Sequence, residues 1–496
     1  MMTGQQATAG HSHGATPIEQ LGRRRRVTIL LICCMSLLIV GLDVTIVNVA
    51  LPSIGREFGA SVSGLQWTID AYTLVLASFL MLAGSVADRF GRRRVFLTGL
   101  SVFSAGSLLC STAPSLALLI VFRMVQALGG SMLNPVAMSI ITNTFTHSRE
   151  RAQAVGVWGA AVGVSMAAGP VVGGLLVSGV GWRSVFWINI PIGLAAIALA
   201  LRFVPESRAP KARRFDPVGQ VLIIVLFATL TFGIIELPKR GLGSPLILAA
   251  FAAAAAALVG ILVYEPRRRE PLIDLRFFRS IPFSTATVTA VASFAALGGF
   301  LFMNTLYLQD VRGLSPLHAG LATLPMAAVT VIASPFSGRI VGVRGPRLPL
   351  VAAGACLTVA CLALTRIDAT TPFTWLFAAY VVFGLGFGLV NAPITNAAVS
   401  GMPRAQAGVA SAVASTSRQI GQTLGVAITG AIVASSLGGA AHSDLAHASH
   451  VAWWLLAGCG AVVLVLGFVA TSRHATETAR RTAAELNPEV LGSAAG

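Results

Sequence analysis

The sequence predicts an all-α polytopic membrane protein with fourteen transmembrane helices, and three observations lead there. The composition, 55% hydrophobic with only 11% charged residues and a mean hydropathy of +0.80, lies outside the range of soluble globular domains. Apolar runs of about 20 residues, enough to cross a hydrocarbon core as a helix, begin near Val27, Leu65, Val95, Leu116, Gln153, Trp182, Pro217, Ser244, Pro282, Pro316, Leu348, Phe373, Ala405 and Val451. Sorted by this map, about 27 of the 35 basic residues fall on the side of the N-terminus, about 6 opposite and 2 inside helices.

That sorting sets both termini in the cytoplasm, because Lys and Arg stay where loops are not translocated. It also explains the formal charge of +17. A nucleic-acid binder would gather its basic residues on one face, whereas here they form short clusters between apolar spans, so the lipid bilayer and not nucleic acid is the expected surrounding. Residues 1–26 read as a cytoplasmic tail too polar to bury a core. GSVADRFGRRR from Gly84, after the second helix, is echoed by GRIVGVRGPR from Gly338, after the tenth. The echo divides the chain into a first six-helix half at 27–201 and a second at 281–472, with linkers and an inserted helix pair at 202–280 and a cytoplasmic tail at 473–496. All six Cys lie inside apolar segments without ligand spacing, so no metal site or disulfide framework is expected. HExxH, GxSxG and GxxxxGK[ST] do not occur, and neither an enzyme nor an ATP-driven pump is indicated.

Charges inside the spans are the candidate functional groups, since each costs roughly 2.5–3.5 kcal/mol at the bilayer centre unless it finds a partner or a cavity. Asp43 in helix one, Asp70 in helix two and Arg123 in helix four each fall about 7–10 Å into the membrane by rise per residue. Unpaired, the three would cost on the order of 8–10 kcal/mol together, comparable with the whole stability of a protein, so a cluster of all three is expected. Gln126, Gly130 and Asn134 return to the face of Arg123 at helical spacing. The second half has no carboxylate at mid-helix; its interior charge is Arg418, which either binds carbonyls structurally or meets an anionic group of the cargo. Trp158, Tyr307 and Asn391 are further candidates for a cavity lining.

Several stretches together resemble one family: LDVTIVNVALP in helix one, GSVADRFGRRR after helix two, RMVQALGG in helix four, GPVVGG in helix five and YLQDVRGLSPLHAGLATLP across helices nine and ten. They are similar to the major facilitator superfamily, and the span count with the helix-one motif resembles its fourteen-span drug:proton antiporter branch, the EmrB/QacA type. The resemblance implies the major facilitator fold and proton-coupled efflux of small amphipathic drug-like compounds by alternating access, with no cofactor beyond the proton gradient. The same motifs would serve a dedicated exporter of one endogenous metabolite or self-made antibiotic. Asp43 and Asp70 would carry protons or cationic groups, with Arg123 adjusting their affinity. Gly84, Asp88, Arg89, Gly91 and Arg92 would latch the two halves in one conformational state, and Gly163, Gly169, Pro170, Gly173 and Gly174 would form the helix-five antiporter motif that controls sealing between them. The chain departs from members that use a second-half acid for divalent cations, so singly charged or neutral cargo is expected. A monomer in the plasma membrane of a bacterium is the expected setting.

Topology is open to direct test. With native Cys removed, a single Cys in the loop 202–214 is expected to resist an impermeant thiol reagent in intact cells, while one in the loop 436–450 is labelled. Labelling of the first loop in intact cells would refute the fourteen-span map.

Overall fold

In a transmembrane helix each backbone group is satisfied within its own segment, and the described residues, 22–208, 216–268, 271–399, 407–437 and 445–486 of the computed structural model, are helical almost throughout. The first half consists of α1 (Arg23–Phe58), α2 (Val62–Phe90), α3 (Arg92–Ser111), α4 (Leu116–Thr144), α5 (Ser148–Gly179) and α6 (Ser184–Phe203, with one turn at Ile188). The inserted pair is α7 (Pro217–Arg240) and α8 (Pro245–Tyr264). The second half comprises α9 (Ile281–Leu306, ending in a π-turn over Tyr307–Val311), α10 (Pro316–Arg344, with a turn at Thr323), α11 (Arg347–Leu364), α12 (Phe373–Val399), α13 (Ala407–Leu437) and α14 (Leu445–Val469). Side-chain caps fix several starts: Ser61 accepts from Gly64 N, Ser115 from Leu118 N and Asp216 from Gly219 N, at 3.1–3.3 Å. At the other end of α1, Gly59 at φ +59° closes the helix in the left-handed region that favours glycine.

Among the described residues, thirteen helices are long and apolar enough to cross a membrane. The remaining long helix, α13, has 31 residues, about 46 Å at 1.5 Å each, and supplies the fourteenth crossing. Its run of Ser415, Thr416, Ser417, Arg418, Gln419 and Gln422 makes its first half polar for a membrane span. This helix is wrapped by α9, α2, α7 and α14, so lipid is not its main neighbour.

The two halves repeat the same pairings. α1 packs on α5 as α9 does on α13; α2 on α4 as α10 on α12; α3 on α6 as α11 on α14. Small residues set these distances. A Cβ on Gly425 would strike the Ala295 backbone, one on Gly460 would come within 2.5 Å of Thr358 N, and one on Gly106 within 2.6 Å of Gln126 Cα. The inserted pair leans on the rest through α7, which contacts both α2 and α13: Gln220 Nε2 donates to Ser78 O at 2.6 Å and Ser63 Oγ to Ile235 O at 3.4 Å.

Two boundaries differ from expectation. The first helix starts at Arg23, four residues before the apolar run, because Arg propagates a helix well and two of these arginines find partners: Arg26 with Glu150 at 2.5 Å and Arg25 Nε with Phe203 O at 3.1 Å. The segment expected as a C-terminal tail begins with a docked helix, α15 (Arg473–Leu486), whose Thr478 hydroxyl accepts from Ile281 N at 3.1 Å and whose Glu485 pairs with Arg279 at 3.0 Å. Residues 1–21, 209–215, 438–444 and 487–496, which hold the rest of the expected tails and parts of the two loops named above, lie outside the described residues.

Over-packing distinguishes the glycines. Gly425→Leu is expected to destabilise the α9–α13 contact by about 1–3 kcal/mol or more and to reduce the monodisperse fraction in fluorescence-detected size exclusion. Gly163→Leu, whose Cβ would meet nothing within 4 Å, is expected to elute like wild type.

Candidate functional site

Asp43 lies near the middle of α1, 15 residues and about 22 Å from its end, deeper than expected because the helix continues past Pro52 to Phe58. It is fully buried, as are Gln126 and Asn189, and Arg123 is 1% exposed. Arg123 Nη1 reaches Asp43 Oδ2 at 2.5 Å and Gln126 Oε1 at 2.6 Å. Gln126 Nε2 in turn donates to Asp43 Oδ1 at 2.8 Å and to Ser107 Oγ at 2.8 Å, and Asn189 Nδ2 donates to Asp43 Oδ1 at 3.1 Å. Arg123 Nε bonds the carbonyl of Thr68 at 3.3 Å, and its guanidinium lies 4.1 Å from the Tyr72 ring centroid. Both carboxylate oxygens of Asp43 are thus satisfied, which is the condition for keeping an ion pair in the apolar interior.

Asp70 does not join this cluster, and the three-charge arrangement expected from equal depth is corrected here. Asp70 is fully buried and neither of its oxygens has a hydrogen-bond partner. The reason is azimuth. Thr68 and Tyr72, four residues apart, form the face of α2 that meets Arg123, and Asp70 stands about 200° round the helix from each. It shares instead the face of Gln66 and Thr73, at i−4 and i+3. That face meets α13 of the other half: Gln66 Nε2 donates to Val426 O at 3.1 Å and Ala427 O at 2.7 Å, and Thr423 Oγ1 donates to Thr73 Oγ1 at 2.7 Å.

The same seam continues on the other side of the bundle. Gln309 Nε2 donates to Val49 O at 2.9 Å, Leu317 N to Ser178 Oγ at 3.1 Å, and Arg56 faces Asp310 at 3.7 Å. The helix-five glycines lie here with distinct contacts. Gly169 and Gly173 admit Thr45 and Ile46 of α1, Gly174 admits the backbone of Pro316 and Leu317, and Pro170 O abuts Gly320. Gly163, one and a half turns earlier, faces open space. All these inter-half contacts sit in the part of the bundle away from the start of α1, the far face.

At the near face, the loop after α2 is tied within the first half. Asp88 accepts from Arg92 Nε at 3.1 Å and Nη2 at 2.8 Å. Gly91 sits at φ +112°, where a Cβ would also come within 2.6 Å of the Glu206 carboxylate. Glu206 accepts from Arg93 N at 3.1 Å, and Arg92 N donates to Ser207 O at 2.9 Å. Arg89 is exposed with its guanidinium over Phe90, and Gly84 has its nearest foreign atom, Pro135 Cβ, 3.9 Å from where a Cβ would sit.

Of the residues expected to line a cavity, Gln126 is sealed in the Asp43 network, and Tyr307 is packed at the far face with its hydroxyl donating to Asp368 O at 2.7 Å. Asn134, Trp158 and Asn391 are half-buried on α4, α5 and α12. Arg418 bridges α13 to α12 through Thr395 Oγ1 at 2.6 Å, meets no acid among the described residues, and leaves its Nε without a partner there. Sequence reasoning missed Asn189 and Ser107; an amide inside the apolar WINIP stretch was the available signal for the first.

The fold and buried network belong to a transporter class, and a family model for the Major Facilitator Superfamily matches residues 33–426. The chain belongs to that superfamily. It is 37% identical over 414 residues to a protein of Mycobacterium tuberculosis named multidrug resistance protein Stp, covering 84% of this chain and 77% of the relative. It is 38% identical over 426 residues to the tetracenomycin C resistance and export protein of Streptomyces glaucescens, covering 85% and 78%. In fold it is similar to a bacterial homologue of the human lysosomal transporter Spinster, solved in an inward-facing and occupied conformation, with a TM-score of 0.63 at 18% identity over 92% of this chain and 98% of that one.

Breaking the buried pair on one side should be far worse than removing it whole. Arg123→Ala is expected to destabilise the protein by about 3–5 kcal/mol, and Asp43→Asn with Arg123→Gln to recover a large part of that loss. Thermal unfolding of the purified variants measures both, and a double variant no more stable than Arg123→Ala would contradict the pairing argument.

Proposed function

We infer that this protein is a drug:proton antiporter of the fourteen-span EmrB/QacA branch, exporting small amphipathic compounds across a bacterial plasma membrane by alternating access. The efflux reading is supported by relatives named for multidrug resistance and for antibiotic export. One observation carries the coupling: a fully buried carboxylate, Asp70, stands unpartnered on the seam between the halves. An ionised carboxylate without donors costs several kcal/mol there, so the closed far-face seam favours a proton on Asp70. Parting of α2 from α13 on that side admits water to Asp70, the charged form becomes acceptable, and the proton exchanges with bulk. The Asp43 network then ties α1, α2, α3, α4 and α6 together through the transition.

The seam is suited to that movement. Gln66 and Gln309 donate to backbone carbonyls, bonds that water can replace when the halves separate. One proton charge moving down about 100 mV supplies about 2.3 kcal/mol, enough for roughly a fifty-fold gradient of cargo. The site is complete within one chain, which supports a functional monomer. A dedicated exporter of a single antibiotic is the second reading, favoured by the relative named for tetracenomycin C alone.

Reconstituted vesicles test the coupling. Wild type is expected to accumulate a dye under an imposed pH gradient and to stop when a protonophore is added. Asp70→Asn is expected to lose gradient-driven accumulation while retaining dye-for-dye exchange. Wild-type gradient-driven accumulation by Asp70→Asn would remove Asp70 from the proton path.

A further inference from the structure

The far face carries five arginines, Arg56, Arg183, Arg240, Arg312 and Arg366, and four of them are engaged by the protein. Arg56 faces Asp310 at 3.7 Å, Arg183 pairs with Glu57 at 2.7 Å, and Arg240 pairs with Glu236 at 3.1 Å. Arg312 donates to Thr371 O at 2.7 Å and lies over Phe373. Arg366 is the exception: exposed just past the end of α11, it has no hydrogen bond or ion pair among the described residues. The acid two residues on does not pair with it: Asp368 Oδ1 accepts from Thr370 N at 2.7 Å, Thr370 Oγ1 at 2.7 Å and Thr371 Oγ1 at 3.2 Å, which folds that carboxylate back onto its own loop.

Arg366 instead lines a cavity of about 440 Å³ with Leu362, Thr371, Pro372, Trp375 and Trp454. The indole of Trp375 is fixed by its N–H donating to Ala363 O at 2.8 Å. Both indoles are outward-facing, 52% and 60% exposed, on helices that cross the membrane. The loop behind the cavity is already ordered, since Asp368 O accepts from Tyr307 and His450 Nε2 lies 3.0 Å from Ile367 O.

We propose that this cavity binds the phosphate of an anionic phospholipid from the leaflet on the far face. The guanidinium offers a planar fork that matches phosphate oxygens, and it stands free on a face where every other arginine is committed. Trp375 and Trp454 occupy the level at which indoles favour the headgroup boundary, and Leu362 and Pro372 continue the wall toward the acyl chains. A belt of aromatic anchors would account for the two indoles but not for an uncommitted arginine between them. A soluble anion would satisfy the arginine and leave the apolar wall and both indoles uncovered. The pre-ordered loop lowers the ordering cost of binding.

The test uses the full chain purified in a neutral detergent, titrated with phosphatidylglycerol or phosphatidylcholine of identical acyl chains, with retained lipid counted by native mass spectrometry. Wild type is expected to retain phosphatidylglycerol with roughly a tenfold preference, as a charge-assisted contact would give. R366Q is expected to lose the preference and R366K to keep part of it. R240Q, which removes a paired arginine of the same face, is expected to keep it in full. Equal retention of phosphatidylglycerol by wild type and R366Q would overturn the proposal. So would thermal stabilisation of wild type by inorganic phosphate equal to that by phosphatidylglycerol, which would mark a site for a soluble anion.

Discussion

An ion pair with no water around it has to be satisfied by protein alone, and the first half is arranged about that requirement. Asp43 from α1 and Arg123 from α4 are the charges. Their remaining hydrogen-bonding capacity is taken up by the Thr68 carbonyl of α2, Ser107 of α3, Gln126 of α4 and Asn189 of α6. Five of the six helices therefore meet in one network. Such a pair adds little net stability over apolar residues of equal volume, but it penalises any arrangement that separates the helices. A half held this way moves as a unit, which is what rocking about a central seam needs.

The second half reaches rigidity by other means. Its interior is a stack of rings, with Phe300 4.2 Å from Phe383 and edge-on to Tyr380 and Trp453, and its helices approach through glycines at 298, 384, 421 and 425. Tyr380 and Asn304 satisfy each other by a hydrogen bond inside it. Both halves are closely packed within themselves, and they meet at the seam. There the bonds are few and are made by amides and hydroxyls to partners that water can replace. A buried carboxylate without a hydrogen-bond partner, Asp70, stands on that seam.

The inserted pair adds a second contact surface to the same seam. α7 touches α2 and α13 together, so it lies beside the line along which the halves part, while α8 packs mainly on α7 and faces outward. The polar character of α13 follows from its position. Enclosed by other helices, it exchanges lipid contact for hydroxyl and amide contacts, and Arg418 finds Thr395 rather than an acid.

How much of this was legible in the sequence follows from what a one-dimensional pattern can carry. Apolar length pointed to the number of spans, because bilayer thickness and the cost of an unsatisfied backbone leave few alternatives, and the echo of GSVADRFGRRR in GRIVGVRGPR pointed to two halves with an inserted pair. Interior charges marked Asp43, Asp70 and Arg123 for the same reason. Their grouping did not follow from depth. Asp43 and Arg123 met because α1 and α4 cross, and Asp70 was turned to the opposite side by 200° of helical rotation, so only the packing of α2 between α4 and α13 decided which acid was neutralised and which was left bare. Equal depth is a property of each helix alone; partnership depends on azimuth and crossing, and those are fixed only when all the helices pack together.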